Sequence, residues 1–395
     1  MQGLYIHVPF CPTLCPYCDF HVVRRHGGVV EAYLAHLAEE AQLLFAHWAQ
    51  TPHTLYFGGG TPSFLRNHEL EQLFAAIPWD ISKAEVTMEA NPGTLNTERL
   101  QLLRDLGVNR LSIGVQSFQD SVLKTLGRAH GRKGALRAVE MSLEAGFRTS
   151  VDLILGLPEQ DLEADLLEAA ALGVGHVSAY TLQVEPGTSF WASGIQPDPD
   201  LEATAFERAE HILGAAGFFR YEVSNFARPG QESRHNLLYW KLAFWGALGP
   251  SAAGLLNPAL SGYLPTGSPL DQGKVYALRT QNPPLPRWLQ GEKPAIEAID
   301  PLEHAKEALM LGLRLHEGVD VGTLEQRTGL DLWDPLEPVV EKMVSEDVLK
   351  LRGRRIRAVN LSTIHPLILR LWDALDSIFQ ETPEGASIKA WITPS

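Results

Sequence analysis

The cysteines of this chain are the strongest constraint on what it can fold into. All three, Cys11, Cys15 and Cys18, lie within eight consecutive positions of a 395-residue sequence. Such a group is not a disulfide framework and is typical of thiolates that hold a soft metal. Three thiolates cannot complete the four-ligand shell that structural zinc and electron-transfer clusters prefer. The sequence therefore predicts a cubane [4Fe-4S] cluster with one iron open to another ligand.

A zinc knuckle is the alternative interpretation of the same residues. His7 and His21 flank the cysteines, and either could supply a fourth zinc ligand. The ligand number and softness, the spacing of the cysteines and the motifs described below favour the cluster. We expect both histidines to pack near the site without binding metal.

Length and charge limit the organisation and the partners of the chain. At ~150 residues per domain, the length suits two or three domains, or one barrel with a small addition. A formal net charge of −14 disfavours a general nucleic-acid-binding protein. Strand-like sequence begins by Leu4 without a secretory signal, and no apolar run approaches ~18 residues. Together with reduced thiols, this predicts a cytoplasmic protein with at most peripheral membrane contact.

Strand-like runs alternate with amphipathic helical stretches from residue 4 to about residue 227. This alternation predicts a parallel sheet with right-handed crossovers. Six repeats favour an α/β fold of the partial (β/α)6 TIM-like barrel type over a closed barrel of eight. The predicted strands are Leu4–Phe10, Thr54–Phe57, Glu85–Glu89, Arg110–Val115, Thr149–Leu155 and His176–Leu182.

The residues at the ends of these strands are unusual. The first strand runs into the cysteine loop, and the second ends in Gly58-Gly59-Gly60-Thr61-Pro62. Glu89 ends the third strand, Gln116 follows the fourth, and Asp152 lies on the fifth. Because the C-terminal ends of barrel strands meet at one mouth, these groups are expected to converge there.

The rest of the chain divides into two parts. Residues 228–300 are rich in Pro and Gly and contain His235-Asn236-Leu237-Leu238-Tyr239-Trp240, which predicts a loop-rich extension and linker. From residue 301 helical periodicity returns and is followed by a hairpin-like run, which predicts a small winged-helix-like C-terminal domain. The predicted domains are therefore 1–227, 228–300 and 301–395.

Several of these motifs also have ordinary structural explanations. Three consecutive glycines let a ligand approach the backbone, but a sharp turn uses glycine too. Taken alone, His235 is more typical of a hydrogen-bonded structural histidine, although its ring could bind haem iron. The basic run from Arg352 to Arg357 suits a DNA-binding wing or, more simply, a solvated hairpin on an acidic protein.

Taken together, the motifs resemble the radical S-adenosylmethionine (radical SAM) family of oxygen-independent coproporphyrinogen III oxidase-like proteins. The resemblance is dense to about residue 250 and thin after 260. It implies a [4Fe-4S] cluster on Cys11, Cys15 and Cys18, with an open iron that chelates the methionine end of SAM. The matching stretches are Leu4–Cys11, Gly58–Ser63, Met88–Gly93, Ser112–Phe118, Leu126–His130 and Asp152–Ile154.

The resemblance also implies a set of residues around SAM. Carboxylates suit the ammonium and the ribose diol of SAM, and an arginine suits its carboxylate. Tyr17 would lie beside the cluster, where its ring could pack on the adenine or cap the apolar base of the loop. The implied SAM pocket consists of Tyr5, Gly59, Gly60, Thr61, Glu89, Gln116, Arg128 and Asp152.

Residues of this chain distinguish two branches of the family. The oxidase branch has a fourth cysteine where this chain has Phe20, and a long N-terminal arm, whereas here Tyr5 lies almost at the start of the sequence. The His-Asn-x-x-Tyr-Trp motif from His235 marks the haem chaperone branch, HemW, in which this histidine is proposed to bind haem. That branch often has a further histidine where this chain has Ala253, so a second haem ligand is not expected there.

Three functions remain, in order of their agreement with the motifs. The first is a chaperone that binds haem and SAM and inserts haem into an apo-haemoprotein, and that could act as a homodimer. The second is an oxidase that converts coproporphyrinogen III to protoporphyrinogen IX. The third is a winged-helix regulator that uses the cluster as a sensor, which the acidic charge disfavours, and nucleic acid is not an expected partner. Whether SAM is cleaved, and so whether the chain is an enzyme, is left open.

Overall fold

The computed structural model describes residues 2–263 and 275–379, and the first 227 residues build a parallel sheet packed against helices. The strands of this part are β1 Gly3–Val8, β2 Phe10–Cys11, β3 Val23–Arg24, β4 Thr54–Gly59, β5 Glu85–Ala90, β6 Arg110–Gln116, β7 Arg148–Leu155, β8 His176–Thr181, β9 Phe219–Arg220 and β10 Asn225–Ala227. Its helices are α1 Val29–His47, α2 Asn67–Ala75, α3 Thr97–Asp105, α4 Asp120–Thr125, α5 Gly131–Glu144, α6 Leu162–Ala171, α7 Ser189–Ala192 and α8 Pro199–Ala215.

Six of these strands form the predicted partial barrel. They pair in parallel in the order β1-β4-β5-β6-β7-β8, with helices between them along the chain. Each predicted strand is present, and its observed ends lie close to the predicted ones. The sheet does not close on itself, because β8 pairs next with the antiparallel strand β10 and not with β1. The prediction of a partial (β/α)6 barrel is therefore confirmed.

The two faces of the barrel strands differ in polarity. In β1, Leu4, Ile6 and Val8 are fully buried in the core that the helices cover, whereas Tyr5 between them lines the inner cavity. Burial of each such apolar side chain is worth roughly 1.5–3 kcal/mol. The inner face of the other strands carries mostly polar residues, unlike the aliphatic layers that fill a TIM barrel. The inner face of the barrel is therefore suited to binding a polar ligand.

The described parts of the segment 228–300 contain more regular strands than the sequence predicts. Its described parts extend the sheet to twelve strands, with β11 parallel to β1 and the next three strands antiparallel. The expectation of a loop-rich extension is therefore wrong for these parts, while the domain boundaries stay a prediction. The elements are α9 Arg234–Trp240, β11 Trp245–Leu248, β12 Ala253–Leu256, β13 Ala277–Gln281, α10 Leu285–Trp288 and β14 Ala295–Ile299.

Gly249 packs the sheet extension closely against the barrel. It lies just after β11 with a φ of 91°, and a Cβ on it would stand 2.6 Å from the carbonyl oxygen of His7. Its N–H donates to Glu40 Oε2 at 2.8 Å, and its carbonyl accepts from Asn282 Nδ2 at 2.8 Å. Only glycine allows this close approach in the left-handed region.

We expect the Gly249→Ala variant to lose about 2 kcal/mol or more of its free energy of unfolding, since backbone strain and a steric clash act together. Gly291→Ala is the matched control, because Gly291 also has a positive φ but has no atom within 4 Å of the added Cβ. Urea unfolding followed by circular dichroism should show the larger loss in the Gly249 variant. Equal losses in the two variants would contradict the close approach.

The C-terminal part has the winged-helix-like order of helices and strands. Asp300 caps its first helix by accepting from the N–H groups of Leu302 and Glu303, and Pro301 occupies the first helical position. Three short antiparallel strands form a separate sheet in the order β15-β17-β16. The elements are α11 Pro301–Gly312, β15 Val319–Asp320, α12 Val321–Thr328, α13 Trp333–Ser345, β16 Leu349–Arg352, β17 Arg355–Ala358 and α14 His365–Phe379.

Three arginines of the β16–β17 hairpin have partners within this part of the chain. Arg354 forms an ion pair with Glu325, and Arg355 Nη2 lies 3.6 Å from Asp320 Oδ2. Arg357 Nη1 lies 3.1 Å from His316 Nε2. These contacts favour the solvated hairpin over a DNA-binding wing. In residues 2–263 and 275–379, no helix is both long enough and apolar enough to cross a membrane.

Candidate functional site

A cavity of about 670 Å³ opens at the C-terminal ends of the barrel strands and continues down the inner face of the sheet. The three cysteines lie at its mouth, and helix α9 contributes residues at its floor. Every predicted residue of the SAM pocket lines it, and so do Tyr17 and His235. The residues at the strand ends therefore converge on one cavity, as the sequence predicts.

The cysteine loop places its thiols next to polar groups of neighbouring strands. Cys11 Sγ lies 3.5 Å from Thr61 Oγ1, and Arg128 Nη1 donates to Cys15 Sγ at 3.4 Å. All three cysteines are free and half-buried. Burial and the neighbouring thiols raise the pKa of Cys11 to about 11, and burial also raises the pKa of Cys18. Three thiols at the mouth of a cavity, with an arginine beside one of them, fit a cationic iron–sulfur group that stabilises their thiolate forms.

The two histidines beside the loop are engaged with protein groups. His7 Nε2 donates to the carbonyl oxygen of His21 at 2.9 Å, so its Nδ1 accepts from the Tyr5 hydroxyl at 3.0 Å. His21 Nε2 accepts from the N–H of Leu285 at 3.1 Å. These contacts support the expectation that both histidines pack near the site. Within the described residues, no three His, Cys, Asp or Glu side chains surround a common point as they would a single metal ion.

The glycine turn after β4 is fixed by contacts with β1. Gly59 has a φ of 104°, and a Cβ on it would lie 2.3 Å from the His7 ring, while one on Gly60 would lie 2.9 Å from the carbonyl oxygen of Phe10. The Gly60 and Thr61 N–H groups donate to carbonyls of the first strands at 2.9 Å each. Because these N–H groups already donate to protein carbonyls, the groups that the turn can offer to a ligand are its carbonyl oxygens. Carbonyl oxygens accept hydrogen bonds and so suit an ammonium group.

Glu89 is held from two sides at the end of β5. Tyr56 Oη donates to its Oε1 at 2.8 Å, and the Gly59 N–H donates to its Oε2 at 3.0 Å. Burial raises the pKa of Glu89 to about 7; the two donors oppose this shift, and the nearby Asp152 adds to it. A carboxylate this buried gains most from a cationic partner, because such a partner offsets the cost of its desolvation.

Gln116 and Arg128 form the part of the pocket near β6. Gln116 has a φ of 70°, which is unusual for a residue with a side chain and is a form of strain that clusters at functional sites. Arg128 Nη2 donates to the Gly114 carbonyl at 2.6 Å. Its Nε is buried without a hydrogen-bond partner. This unpaired donor fits an acceptor on a bound ligand, such as a carboxylate.

Asp152 lies inside the barrel on β7. Ser112 Oγ is 2.9 Å from its Oδ1 and 3.1 Å from its Oδ2, and Ser178 also hydrogen bonds to it. Burial raises the pKa of Asp152, while these hydroxyls and the charges of Arg110 and Arg128 act in the opposite direction. A carboxylate supported in this way can accept hydrogen bonds from a diol.

The two tyrosines of the predicted pocket have different surroundings. Tyr5 stacks on Tyr56, with ring centroids 6.2 Å apart. Tyr17 packs near Phe190, with centroids 6.2 Å apart, beside a small apolar cluster that includes Leu126. This packing favours the cap on the apolar base of the loop for Tyr17, although the residue also borders the cavity.

The haem-binding role of His235 stays a prediction, and in this structure protein groups surround its ring. His235 is only 1% exposed, and both ring nitrogens have partners: Nδ1 lies 2.7 Å from Thr54 Oγ1, and Nε2 lies 2.7 Å from Tyr239 Oη. Burial lowers its pKa to about 3. A ring with neither nitrogen free and almost no exposed surface does not fit an axial ligand of haem iron.

Sequence reasoning missed several residues of the cavity. Tyr56, Ser112 and Tyr239 take part in the network around the two carboxylates, and Arg110 lies fully inside the barrel. The sequence contained a signal for Tyr56, Ser112 and Arg110. Each precedes a predicted pocket residue near the end of its strand by an even number of positions, so both residues lie on the inner face of the sheet. Tyr239 had no comparable signal, since α9 reaches the barrel floor only through tertiary packing.

Two family models match this chain, and known proteins resemble it over most of its length. Residues 5–170 match the model of the Radical SAM superfamily, and residues 299–358 match that of the HemN C-terminal domain. Radical S-adenosyl methionine domain-containing protein 1, mitochondrial, of Mus musculus is 35% identical over 97% of this chain and 90% of its own length. Heme chaperone HemW of Synechocystis sp. is 36% identical over 80% of this chain and 78% of its own length. Heme chaperone HemW of Lactococcus lactis is 34% identical over 92% of this chain and 93% of its own length.

A solved structure shares the fold. Coproporphyrinogen III oxidase (HemN) from Escherichia coli, described as a radical SAM enzyme, superposes with a TM-score of 0.74 and 21% sequence identity. The match covers 95% of this chain and 90% of the other. The arrangement of barrel, sheet extension and C-terminal domain is therefore one that a known protein also adopts.

Proposed function

This chain belongs to the radical SAM family that includes the heme chaperone HemW, and from that premise we propose that it binds haem and delivers it to apo-haemoproteins. The observation that carries the proposal is the similarity to proteins named heme chaperones over most of both chains. The family implies a [4Fe-4S] cluster and SAM, and the cavity supplies the side chains that these groups need.

Each part of the pocket would have a separate task. Cys11, Cys15 and Cys18 would hold a cluster whose open iron binds the methionine end of SAM. Glu89 would accept hydrogen bonds from the ammonium group, together with the backbone of the glycine turn. Arg128 would direct its unpaired Nε toward the carboxylate.

The remaining pocket residues would bind the sugar and the base. Asp152, fixed by Ser112, would accept from the ribose diol, and Gln116 would lie beside it. Tyr5 and Tyr17 would border the ligand at opposite sides of the cavity. These groups bind and orient SAM, and the proposal does not require that SAM is cleaved.

The mouth of the cavity also has an apolar side, which supports haem as cargo. Leu14, Phe20 and Tyr180 line the cavity and are 43%, 64% and 45% exposed. Exposed large apolar side chains beside a cavity are typical of sites that bind a ligand or a partner. A flat, mostly apolar macrocycle is a suitable ligand for such a rim, next to the SAM pocket.

The oxidase is the second candidate, and the shared fold of the E. coli enzyme favours it. Phe20 stands where the oxidase branch has a fourth cysteine, which counts against the oxidase. It is an exposed residue at the mouth of the cavity. The winged-helix regulator receives less support, because Arg354 and Arg355 of its hairpin are paired with carboxylates of the same C-terminal part. We place the protein in the cytoplasm, and homodimer formation stays a prediction.

Parallel incubations test the proposal. We expect the anaerobically reconstituted protein to give a Soret band on titration with haem and to transfer that haem to apomyoglobin. With coproporphyrinogen III, SAM and dithionite, we expect no protoporphyrinogen IX. A variant without the three cysteines, treated in the same way, separates haem binding from the cluster. Appearance of protoporphyrinogen IX would establish the oxidase, and a haem spectrum identical to that of free haem would reject the chaperone.

A further inference from the structure

His235 lies at the floor of the cavity, where α9 packs against the N-terminal ends of the barrel strands. A Cβ on Gly3 would stand 2.6 Å from Leu238 Cδ1 and 3.3 Å from His235 Cε1, so the helix sits directly against β1. The backbone N–H of His235 donates to Glu85 Oε1 at 3.1 Å. The histidine is therefore fixed by its backbone as well as by its ring.

The ring of His235 is part of a stack that leads to Glu89. It lies nearly parallel to the Tyr56 ring, with centroids 5.2 Å apart and planes at 25°. Tyr239, hydrogen bonded to His235 Nε2, meets the histidine ring edge-on at 5.0 Å. Tyr56 in turn donates to Glu89 Oε1 at 2.8 Å. One continuous set of contacts thus joins Thr54, His235, Tyr56 and Glu89.

Further contacts of Tyr56 leave little freedom for its ring. Tyr5 stacks against it at 6.2 Å, and a Cβ on Gly58 would lie 2.8 Å from Tyr56 Cε1 and 2.9 Å from Glu89 Oε1. Stacking contacts with Tyr5 and His235 therefore restrict the Tyr56 ring, whose hydroxyl donates to Glu89. Removing the histidine ring would leave a cavity beneath Tyr56, and the hydrogen bond to Glu89 would lose its fixed geometry.

We propose that His235 is a positioning residue for the SAM-binding carboxylate Glu89, acting through the ring of Tyr56. This inference depends on the proposed SAM pocket but not on haem binding. It assigns the histidine of the His-Asn-x-x-Tyr-Trp motif to the SAM cofactor site and leaves the axial ligand of haem to another group.

The pH dependence of SAM affinity tests the proposal through the pKa of Glu89. A general loss of packing would not shift this pH dependence. The ionisable groups that face Glu89 are Tyr56 from β4, Tyr5 from β1, Tyr239 from α9 and Asp152 from β7. The Tyr56 hydroxyl lowers the pKa of Glu89 by donating to its charged form, against the larger effect of burial. If SAM binds the ionised carboxylate, SAM affinity rises with pH through the pKa of Glu89. Loosening Tyr56 should therefore move that rise to higher pH.

The test compares His235→Ala, His235→Gln and Tyr56→Phe in the cluster-reconstituted protein by calorimetric titration with SAM across pH 6 to pH 9. We expect His235→Ala to weaken SAM binding about tenfold, as the loss of one charged hydrogen bond would. We expect His235→Gln to recover most of the affinity, because its amide can both donate and accept. The double variant His235→Ala with Tyr56→Phe should be no weaker than Tyr56→Phe alone, since the two act on the same hydrogen bond.

His176→Ala is the matched control. His176 is also buried, and its two ring nitrogens bond to Ser150 and to Tyr221 at 2.7 and 2.9 Å, but these contacts do not involve Tyr56 or Glu89. We expect its SAM affinity and pH profile to match wild type.

If His235→Ala keeps wild-type SAM affinity and pH profile, or if only additive losses occur in the double variant, the positioning role is wrong. Loss of the Soret band in His235→Ala with SAM binding intact would restore the histidine as the haem ligand. Failure of wild type to bind SAM would instead reject the pocket itself.

Discussion

Replacing Cys15 with alanine should abolish the iron–sulfur cluster. Each cysteine supplies one thiolate, and the residues 2–263 and 275–379 contain no further cysteine that could take its place. Two thiolates leave two irons exposed to solvent, and such a cluster is not retained. We expect the absorbance of the sulfur-to-iron charge-transfer bands to disappear after anaerobic reconstitution, together with the bound iron. Cys11→Ala and Cys18→Ala should behave in the same way.

The histidines that flank the loop provide the control for this result. His21→Ala should keep the cluster, because His21 Nε2 already accepts a backbone hydrogen bond from Leu285. Metal analysis after reconstitution should find about four irons per chain in wild type and in His21→Ala, as in a cubane cluster. One zinc per chain, lost in His21→Ala, would establish the zinc knuckle instead. About four irons in a variant without any of the cysteines would reject the ligand assignment.

Much of the barrel could be predicted from the sequence because its strands are local features. Apolar runs separated by amphipathic helices fix where strands such as β6 and β7 begin and end, whatever their partners are. The sheet extension could not be predicted in this way. β11 and β12 have four residues each, and their order follows from pairing with β1, which lies more than two hundred positions earlier. The identity of such short strands depends on tertiary pairing more than on local pattern.

The same distinction explains what could be predicted of the site. Glu89 near the end of β5 and Asp152 within β7 interrupt an apolar pattern and are visible in the sequence. His235 was visible as a motif, but its role depends on burial beneath Tyr56 and on the hydroxyls of Thr54 and Tyr239. A motif identifies a residue that matters, whereas its hydrogen-bond partners decide which task it can perform.

Exchanging Glu89 for glutamine should weaken SAM binding about ten- to a hundredfold, since one charged hydrogen bond is worth about 1.5–3 kcal/mol. The variant keeps the size of the side chain and one acceptor for the Tyr56 hydroxyl. Its amide nitrogen cannot accept from the Gly59 N–H, so the variant removes the charge and one backbone hydrogen bond. Burial raises the pKa of Glu89 from 4.5 to about 7 in the cofactor-free protein. Wild-type affinity should therefore rise with pH through about 7, while the Glu89→Gln variant should lose this rise.

The same shift predicts the opposite effect on stability in the absence of SAM. Because the folded-state pKa of this acid is raised, the folded protein binds more protons than the unfolded chain between pH 4.5 and about 7, and its stability falls as pH rises through that window. Above this window Glu89→Gln should be more stable than wild type without SAM, yet bind SAM less tightly. Glu144→Gln, on the exposed face of α5, is the control that should change neither property. A Glu89→Gln variant with wild-type affinity and an unchanged pH profile would place the ammonium group elsewhere. Wild-type stability without SAM that does not fall between pH 4.5 and about 7 would contradict the raised pKa of this carboxylate.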